Sequence, residues 1–269
     1  AIVYGAIPVF ADIDPETFCL DPASVRSCLT TRTRAIIGVD LFGHPAPWSG
    51  LRRVIEGRDI VLIEDAAQAP GAKQGDRYAG TLADIGVFSL NYHKTIHSGE
   101  GGVVVTDRDD LAERLQLIRN HGEAVVKAKG HHDLVNLVGF NYRMTEIEAA
   151  IASEQLRKLE SLVVPRIDGA DFLTERLRGI PGLSTPVVRP GVRHGYYVYA
   201  VRFAAERVGA DRGSFATALR AEGIPVSVGY VEPLYRQPMY QRGIAFGRSG
   251  FPFRQPGRAP ATYPDGLCP

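Results

Sequence analysis

A lysine, an aspartate and a glutamine stand at the ends of strand-like runs in this chain. Asp65 and Gln68 follow the apolar run Ile60-Val61-Leu62-Ile63, and Lys94 closes the stretch Phe88-Ser89-Leu90-Asn91-Tyr92-His93-Lys94. A primary amine can bond a carbonyl carbon and, once displaced, carry a proton to and from the neighbouring carbon. A carboxylate favours the protonated form of a ring nitrogen by charge pairing, and an amide donates to a phenolic oxygen without adding charge. Ser89 at a strand end can hydrogen-bond a phosphate, and Gly99-Glu100-Gly101-Gly102 lets backbone approach a ligand closely. These are the duties a protein performs for pyridoxal 5'-phosphate (PLP), with Asp65 at the ring nitrogen, Gln68 at the phenolic oxygen and Lys94 at the aldehyde carbon. Taken singly, each residue has a plainer role: a helix cap for Asp65, a solvated surface amine for Lys94, a local backbone partner for Ser89. Only the set is specific.

The elements that must position them alternate. Pro8 to Asp14 reads as a short buried strand, and Asp21-Pro22 supplies an N-cap and first-turn proline for a helix bearing Val25, Cys28 and Leu29. Strands are expected at Ala35 to Val39, Ile60 to Ile63, Ile85 to Phe88 and Val103 to Thr106, and a helix from about Asp109 to Arg119. Such a pattern predicts an α/β fold with a mostly parallel sheet covered by helices on both faces, its ligands at the carboxyl ends of the strands. Thr145-Glu146-Ile147-Glu148 is a capping box opening a long helix with Ile147, Ile151, Leu156, Leu159 and Val163 inward, and Pro165 marks its expected end. Beyond it, a strand at Tyr196 to Phe203, a helix capped by Asp211 and an extended run at Ile224 to Val228 make a smaller α+β unit. The prolines from 252 to 269 forbid regular structure there. The expected division is a large domain at 1–163 and a small C-terminal domain at 164–269.

Several of these segments carry a resemblance. Glu64-Asp65-Ala66-Ala67-Gln68, Phe88-Ser89 through Lys94, Gly99 to Gly102, Arg119-Asn120-His121-Gly122 and Asn141-Tyr142-Arg143-Met144 resemble, in order and spacing, the DegT/DnrJ/EryC1/StrS sugar aminotransferases of the type I PLP fold. The match spans nearly the whole chain. It implies that Asp65 contacts the pyridine nitrogen, Gln68 the phenolic oxygen and Ser89 the phosphate, while Lys94 forms the internal Schiff base and shuttles the proton. It also implies that Asn141 reaches the phosphate of the neighbouring subunit's cofactor, hence a homodimer with shared sites. The reaction implied is amino transfer from glutamine or glutamate to a nucleotide-linked keto sugar or a cyclitol. Gly229 to Pro238 and the ending Tyr263 to Pro269 look closer to the glutamine-dependent branch acting on inososes and related antibiotic sugars. Two alternatives stand beside this: a sugar dehydratase on the same fold, in which histidine is expected in place of Lys94, and a truncated chain without catalysis that serves as a partner subunit.

The resemblance also implies a fragment. Family members are expected to carry an upstream Ser-Gly-Thr turn that binds the PLP phosphate and a segment beyond Cys268-Pro269, so weaker PLP binding and an exposed apolar sheet edge are expected here. Thirty-one basic against thirty acidic residues give a formal charge of +1, too balanced to indicate nucleic acid or an anionic membrane as partner. Three cysteines without a CxxC pair indicate neither a disulfide framework nor a zinc site, and suggest a reducing, cytoplasmic compartment. His131-His132-Asp133 on a polar stretch is a weak metal motif, and none is expected to bind. His93, His97 and His121 are candidate acid–base groups whose ordinary role is packing, and Tyr230 and Arg236 are candidates for substrate contact.

Overall fold

A computed structural model of the chain describes residues 1–122, 137–230 and 232–268. In chain order the elements are α1 (Pro22–Cys28), β1 (Ala35–Val39), α2 (Trp48–Val54), β2 (Val61–Asp65), β3 (Lys73–Gln74), β4 (Arg77–Tyr78), β5 (Ile85–Ser89), β6 (Gly102–Val105) and α3 (Asp109–Arg119). They continue with α4 (Glu146–Arg157), α5 (Leu159–Leu177), β7 (Leu183–Ser184), β8 (Val192–Arg193), β9 (Arg202–Phe203), α6 (Ala205–Val208), α7 (Arg212–Ala221) and α8 (Pro238–Arg242). The main sheet has the order β1-β2-β5-β6, parallel except for the antiparallel edge strand β6.

Alternation along the strands decides which face is buried. Ile36, Leu62 and Glu64 point to one side, where Val25, Trp48, Leu51 and Val54 of α1 and α2 close over them with Cys19, Ile55 and Leu82. Each fully buried side chain here, such as Leu51 or Leu62, contributes ~2 kcal/mol. The α1 start is set locally: the Asp21 carboxylate accepts from Ala23 and Ser24 N–H at 3.0 and 3.2 Å, with Pro22 in the first turn. The other sheet face carries Ile37, Ile63, Val87 and Val104 beside Asp65 and Ser89. It stays open, with Ile37 55% and Val104 45% exposed, so the expected second layer of helices does not cover it among the described residues.

Glu64 is the exception on the buried face. A carboxylate without solvent needs donors, and it has three: Gly80 N–H at 2.6 Å on one oxygen, Leu82 and Ala83 N–H at 2.7 and 3.2 Å on the other. For that turn to reach Glu64 it must pass over Gly86, which pairs with Glu64 across the sheet. A Cβ at Gly86 would stand 1.7 Å from the Gly80 carbonyl oxygen. Hence β5 needs glycine at this point.

Several sequence expectations give way to packing. Pro8 to Asp14 is not a strand; only Ile13 bridges Leu20. Phe10 instead joins an aromatic cluster with Tyr235, Tyr240 and Tyr263, and the Tyr263 hydroxyl donates to the Pro8 carbonyl at 2.8 Å. The capping box forms as expected, Thr145 and Glu148 exchanging bonds at 3.2 and 3.0 Å. Yet α4 ends at Arg157, and Pro165 lies inside α5, where the lost N–H removes only one helical bond. The inward face expected for α4 is exposed, Ile147 by 74% and Leu156 by 59%; Val163 of α5 is buried. Of the strand expected at Tyr196 to Phe203, only β9 forms, because Gly195 and Val198 N–H turn back to the carbonyls of Gly43 and Phe42. No strand forms at Ile224 to Val228. Asp211 caps α7 through Ser214 N–H at 2.9 Å, as expected.

A histidine pair fastens the 190s to the loop after β1. His44 and His194 meet edge to face at 5.4 Å, with Tyr196 stacked on His194 at 4.0 Å. His44 Nε2 accepts from Arg189 N–H at 3.2 Å and its Nδ1 donates to the Pro45 carbonyl, while His194 Nδ1 accepts from Tyr196 N–H at 2.9 Å. Each ring therefore has one nitrogen committed as acceptor and is neutral. Burial pushes their pKa values down to about 4 for His44 and about 3 for His194. The unfolded chain takes up both protons as pH falls through ~6.5, the folded chain only near the lowered values, so their contribution is complete above ~6.5 and lost on acidification. Stability should thus fall between pH 6.5 and 4 by up to about tenfold in the folding constant per pH unit and histidine, measured by denaturant titration. His194→Phe should flatten that slope. In the sheet, Gly86→Ala should destabilise the chain by ~3 kcal/mol or more in the same assay, whereas Gly57→Ala, beside open space but at φ 73°, should cost only the ~1–2 kcal/mol of the left-handed backbone.

Candidate cofactor and active site

Asp65 ends β2 on the open face, directly across from its partner Val87, and Ser89 stands two positions further along that face at the end of β5. Glu64 points the other way, as expected from the pleat. The Asp65 carboxylate is half-buried; one oxygen accepts from Ala67 N–H at 3.0 Å, and the second has no hydrogen bond among the described residues. Three residues on, Gln68 is buried and its amide orientation is fixed. Its Oε1 accepts from Phe42 N–H at 2.8 Å, which turns Nε2 toward the site, where it donates to the Tyr230 hydroxyl at 2.6 Å.

The donor Phe42 sits in a turn that the sequence did not announce. It adopts φ 60°, outside the helical and extended regions, and Gly43 follows with φ 98°. Glycine is required there, since a Cβ would lie 2.9 and 3.0 Å from the backbone nitrogens of Tyr196 and Tyr197. That close approach brings Tyr197 to the site. Its ring lies 5.1 Å from Lys94 Nζ.

Lys94 is half-buried and makes no ion pair among the described residues. Its backbone closes a turn on the Asn91 carbonyl at 2.9 Å, and the surrounding loop is tied down: Leu90 N–H to Gly101, Ser98 N–H to Leu90, and Asn91 Nδ2 to Glu100 at 2.6 Å. A continuous path of contacts thus runs from Lys94 through Tyr197 and the Phe42-Gly43 turn to Gln68 and Tyr230. Ser89 Oγ accepts from Asn91 N–H at 3.3 Å, a local bond that leaves its hydroxyl proton to donate.

Asn141 is not in this group. It is exposed, bridges Asn120 through the backbone, and neighbours Arg143, which donates to the Asn120 side chain at 2.6 Å. Arg236 pairs with Asp265 at 3.1 Å, so of the two candidate substrate contacts only Tyr230 enters the site. His93 stacks on Tyr92 at 3.8 Å. His131-His132-Asp133 lie outside the described residues, and among those described no group of three or more His, Cys, Asp or Glu is placed to hold a metal ion. No helix among them is long and apolar enough to cross a membrane.

The set fits PLP on its own chemistry: an acceptor with a free oxygen at a strand end, an amide whose N–H is aimed by a backbone donor, a hydroxyl, and an amine with no carboxylate to neutralise it. A cavity of about 440 Å³ among Arg26, Arg53, Gln74 and Arg189 shares no lining residue with this site. The site is instead a surface on the open sheet face.

Comparison with known proteins agrees. The L-glutamine:2-deoxy-scyllo-inosose aminotransferase of Streptoalloteichus tenebrarius is 37% identical over 245 residues, 88% of this chain and 57% of that protein. The solved structure of S. venezuelae DesV in complex with a ketimine intermediate superposes with a TM-score of 0.77 at 32% identity, covering 91% of this chain and 63% of that one. The E. coli GDP-4-keto-6-deoxy-D-mannose-3-dehydratase with bound hydrated PLP gives a TM-score of 0.70 at 28% identity, over 80% and 58% of the two chains. The chain therefore spans about three fifths of the length of these relatives, and its sheet is that of PLP-dependent aminotransferases. With the family model matched over residues 1–251, the chain belongs to the DegT/DnrJ/EryC1/StrS aminotransferase family.

Proposed function

We propose that this chain carries the cofactor-binding part of a PLP-dependent aminotransferase that moves an amino group from glutamine or glutamate to the keto group of a nucleotide-linked sugar or a cyclitol. The observation that carries the reading is the Gln68 amide, held by Phe42 N–H of the same turn whose Gly43 packs on the backbone of Tyr197, the residue with its ring beside Lys94. PLP, when bound, supplies a carbonyl carbon for amines and a protonated ring that accepts electrons from the carbon losing a proton. Asp65 holds the ring nitrogen with its free carboxylate oxygen, and Gln68 Nε2 donates to the phenolic oxygen. Ser89 donates to the phosphate. Lys94 Nζ is the catalytic amine: it would hold the bound cofactor at its carbonyl carbon and move the proton during transfer. Tyr197 lies against that amine with its ring face, which stabilises a cation there without supplying a proton acceptor.

Asn141 acts across a homodimer interface, toward the cofactor of the second subunit. Its exposure supports that role. The free cysteines Cys19, Cys28 and Cys268 support a reducing, cytoplasmic setting. The inosose relative supports a cyclitol or sugar acceptor with glutamine as donor. A dehydratase is the second reading, favoured by the E. coli relative; retention of Lys94 speaks against it.

Two measurements test the proposal. The purified chain mixed with PLP should gain a visible absorbance band that borohydride traps as a covalent adduct, and Lys94→Ala should abolish both; a chain that shows neither is a non-catalytic copy or a partner subunit. With a keto cyclitol and glutamine, wild type should form aminated product, and Lys94→Ala should reduce the rate at least ~100-fold. Loss of a hydroxyl from the acceptor instead of amination would establish the dehydratase. Gln68→Ala removes a hydrogen bond worth ~1 kcal/mol and should weaken PLP binding about fivefold, read by the same band during titration.

A further inference from the structure

Behind the Asp65 strand end lies a second acid that the proposed chemistry leaves unused. Asp40 and Glu64 are both fully buried, on the sheet face opposite Asp65. Glu64 accepts three hydrogen bonds, all from backbone N–H groups. Asp40 Oδ1 accepts from Ala46 N–H at 2.7 Å and from Trp48 Nε1 at 2.9 Å, but its Oδ2 is enclosed and has no donor. Neither acid takes part in any ion pair among the described residues. Two adjacent anions without solvent or counter-charge are untenable.

One proton resolves both problems, because a protonated Asp40 turns the orphaned acceptor into a donor beside an oxygen of Glu64. We propose that Asp40 is a neutral carboxylic acid that donates from Oδ2 to Glu64, and that it is the positioning residue for the turn presenting Phe42 N–H to Gln68. Burial first, and the Glu64 charge and hydrogen bond second, raise its pKa well above the ordinary carboxylate range. Asp40 pins that turn at both ends. Its own N–H donates to the Asp65 carbonyl at 3.0 Å, and its side chain holds Ala46 and Trp48 where α2 begins. Phe42 lies between these anchors.

The charged and titratable groups around the pair are few. Glu64 faces it from β2; Cys19, Arg189, Asp14 and His44 stand on the packed loops, with Arg189 committed to the Pro45 carbonyl and Cys19 Sγ to the His44 carbonyl at 3.2 Å. Above an unfolded carboxylate's pKa of ~3.9 the unfolded chain has lost this proton while the folded chain keeps it. Stability attributable to Asp40 therefore declines as pH rises, until the folded group also ionises.

Asp40→Asn supplies an N–H in place of the carboxyl O–H and keeps the acceptor for Ala46 and Trp48; Asp40→Ala supplies neither. Infrared difference spectra at pH 7 should show a protonated-carboxyl band in wild type that is missing in Asp40→Asn. Relative to wild type, Asp40→Asn should gain up to about tenfold in folding constant for each pH unit above ~4. The Asn variant should bind PLP as wild type does at neutral pH, and Asp40→Ala should bind it at least tenfold more weakly. No protonated-carboxyl band in wild type, or one that persists in Asp40→Asn, overturns the neutral acid. Undiminished PLP binding in a folded Asp40→Ala overturns the positioning role. Only the PLP arm rests on the proposed function; the infrared and stability arms read the pair whether or not cofactor binds.

Discussion

A carboxylate with no access to water organises this fold. Glu64 must be surrounded by donors, and the chain delivers them as the backbone N–H groups of Gly80, Leu82 and Ala83 from the turn between β4 and β5. That requirement fixes where the turn lies, forces glycine at position 86, and locks β5 in register against β2. The strand ends then fall where Asp65 and Ser89 share a face. The residues that would grip the ring are thus placed by a polar constraint on the reverse side of the sheet, as much as by apolar packing.

From that sheet the site is assembled by loops. Strand ends supply the acid and the hydroxyl, the 40–44 turn supplies the N–H that aims Gln68, and the 194–198 segment supplies the ring beside Lys94. The histidine pair and Arg189 hold these last two segments together, so a contact far from the amine governs how Tyr197 meets it.

Much of this was legible in the residues. Strands β1, β2, β5 and β6 and helices α1, α3 and α7 follow from apolar runs, caps and spacing, within a residue or two at their ends. Asp65, Gln68 and Ser89 are marked by their places at strand exits, and Lys94 by its spacing from them and from the glycines within 99–102. Phe42 did not, since a backbone N–H leaves no trace in side-chain type, and φ 60° at a phenylalanine has no sequence signal. Nothing in the residue types sets Asp40 apart; only the fold places Trp48 and the buried Glu64 beside it. Phe10 was misread because an apolar run near prolines suits an aromatic cluster as well as a strand.

The open sheet face has a colloidal consequence. Ile37 and Val104 present β-branched surface to water, and β6, the edge strand among the described residues, has Val103 and Val104 40% and 45% exposed. An exposed apolar sheet face beside an edge strand is a template for lateral growth, which a covering surface suppresses.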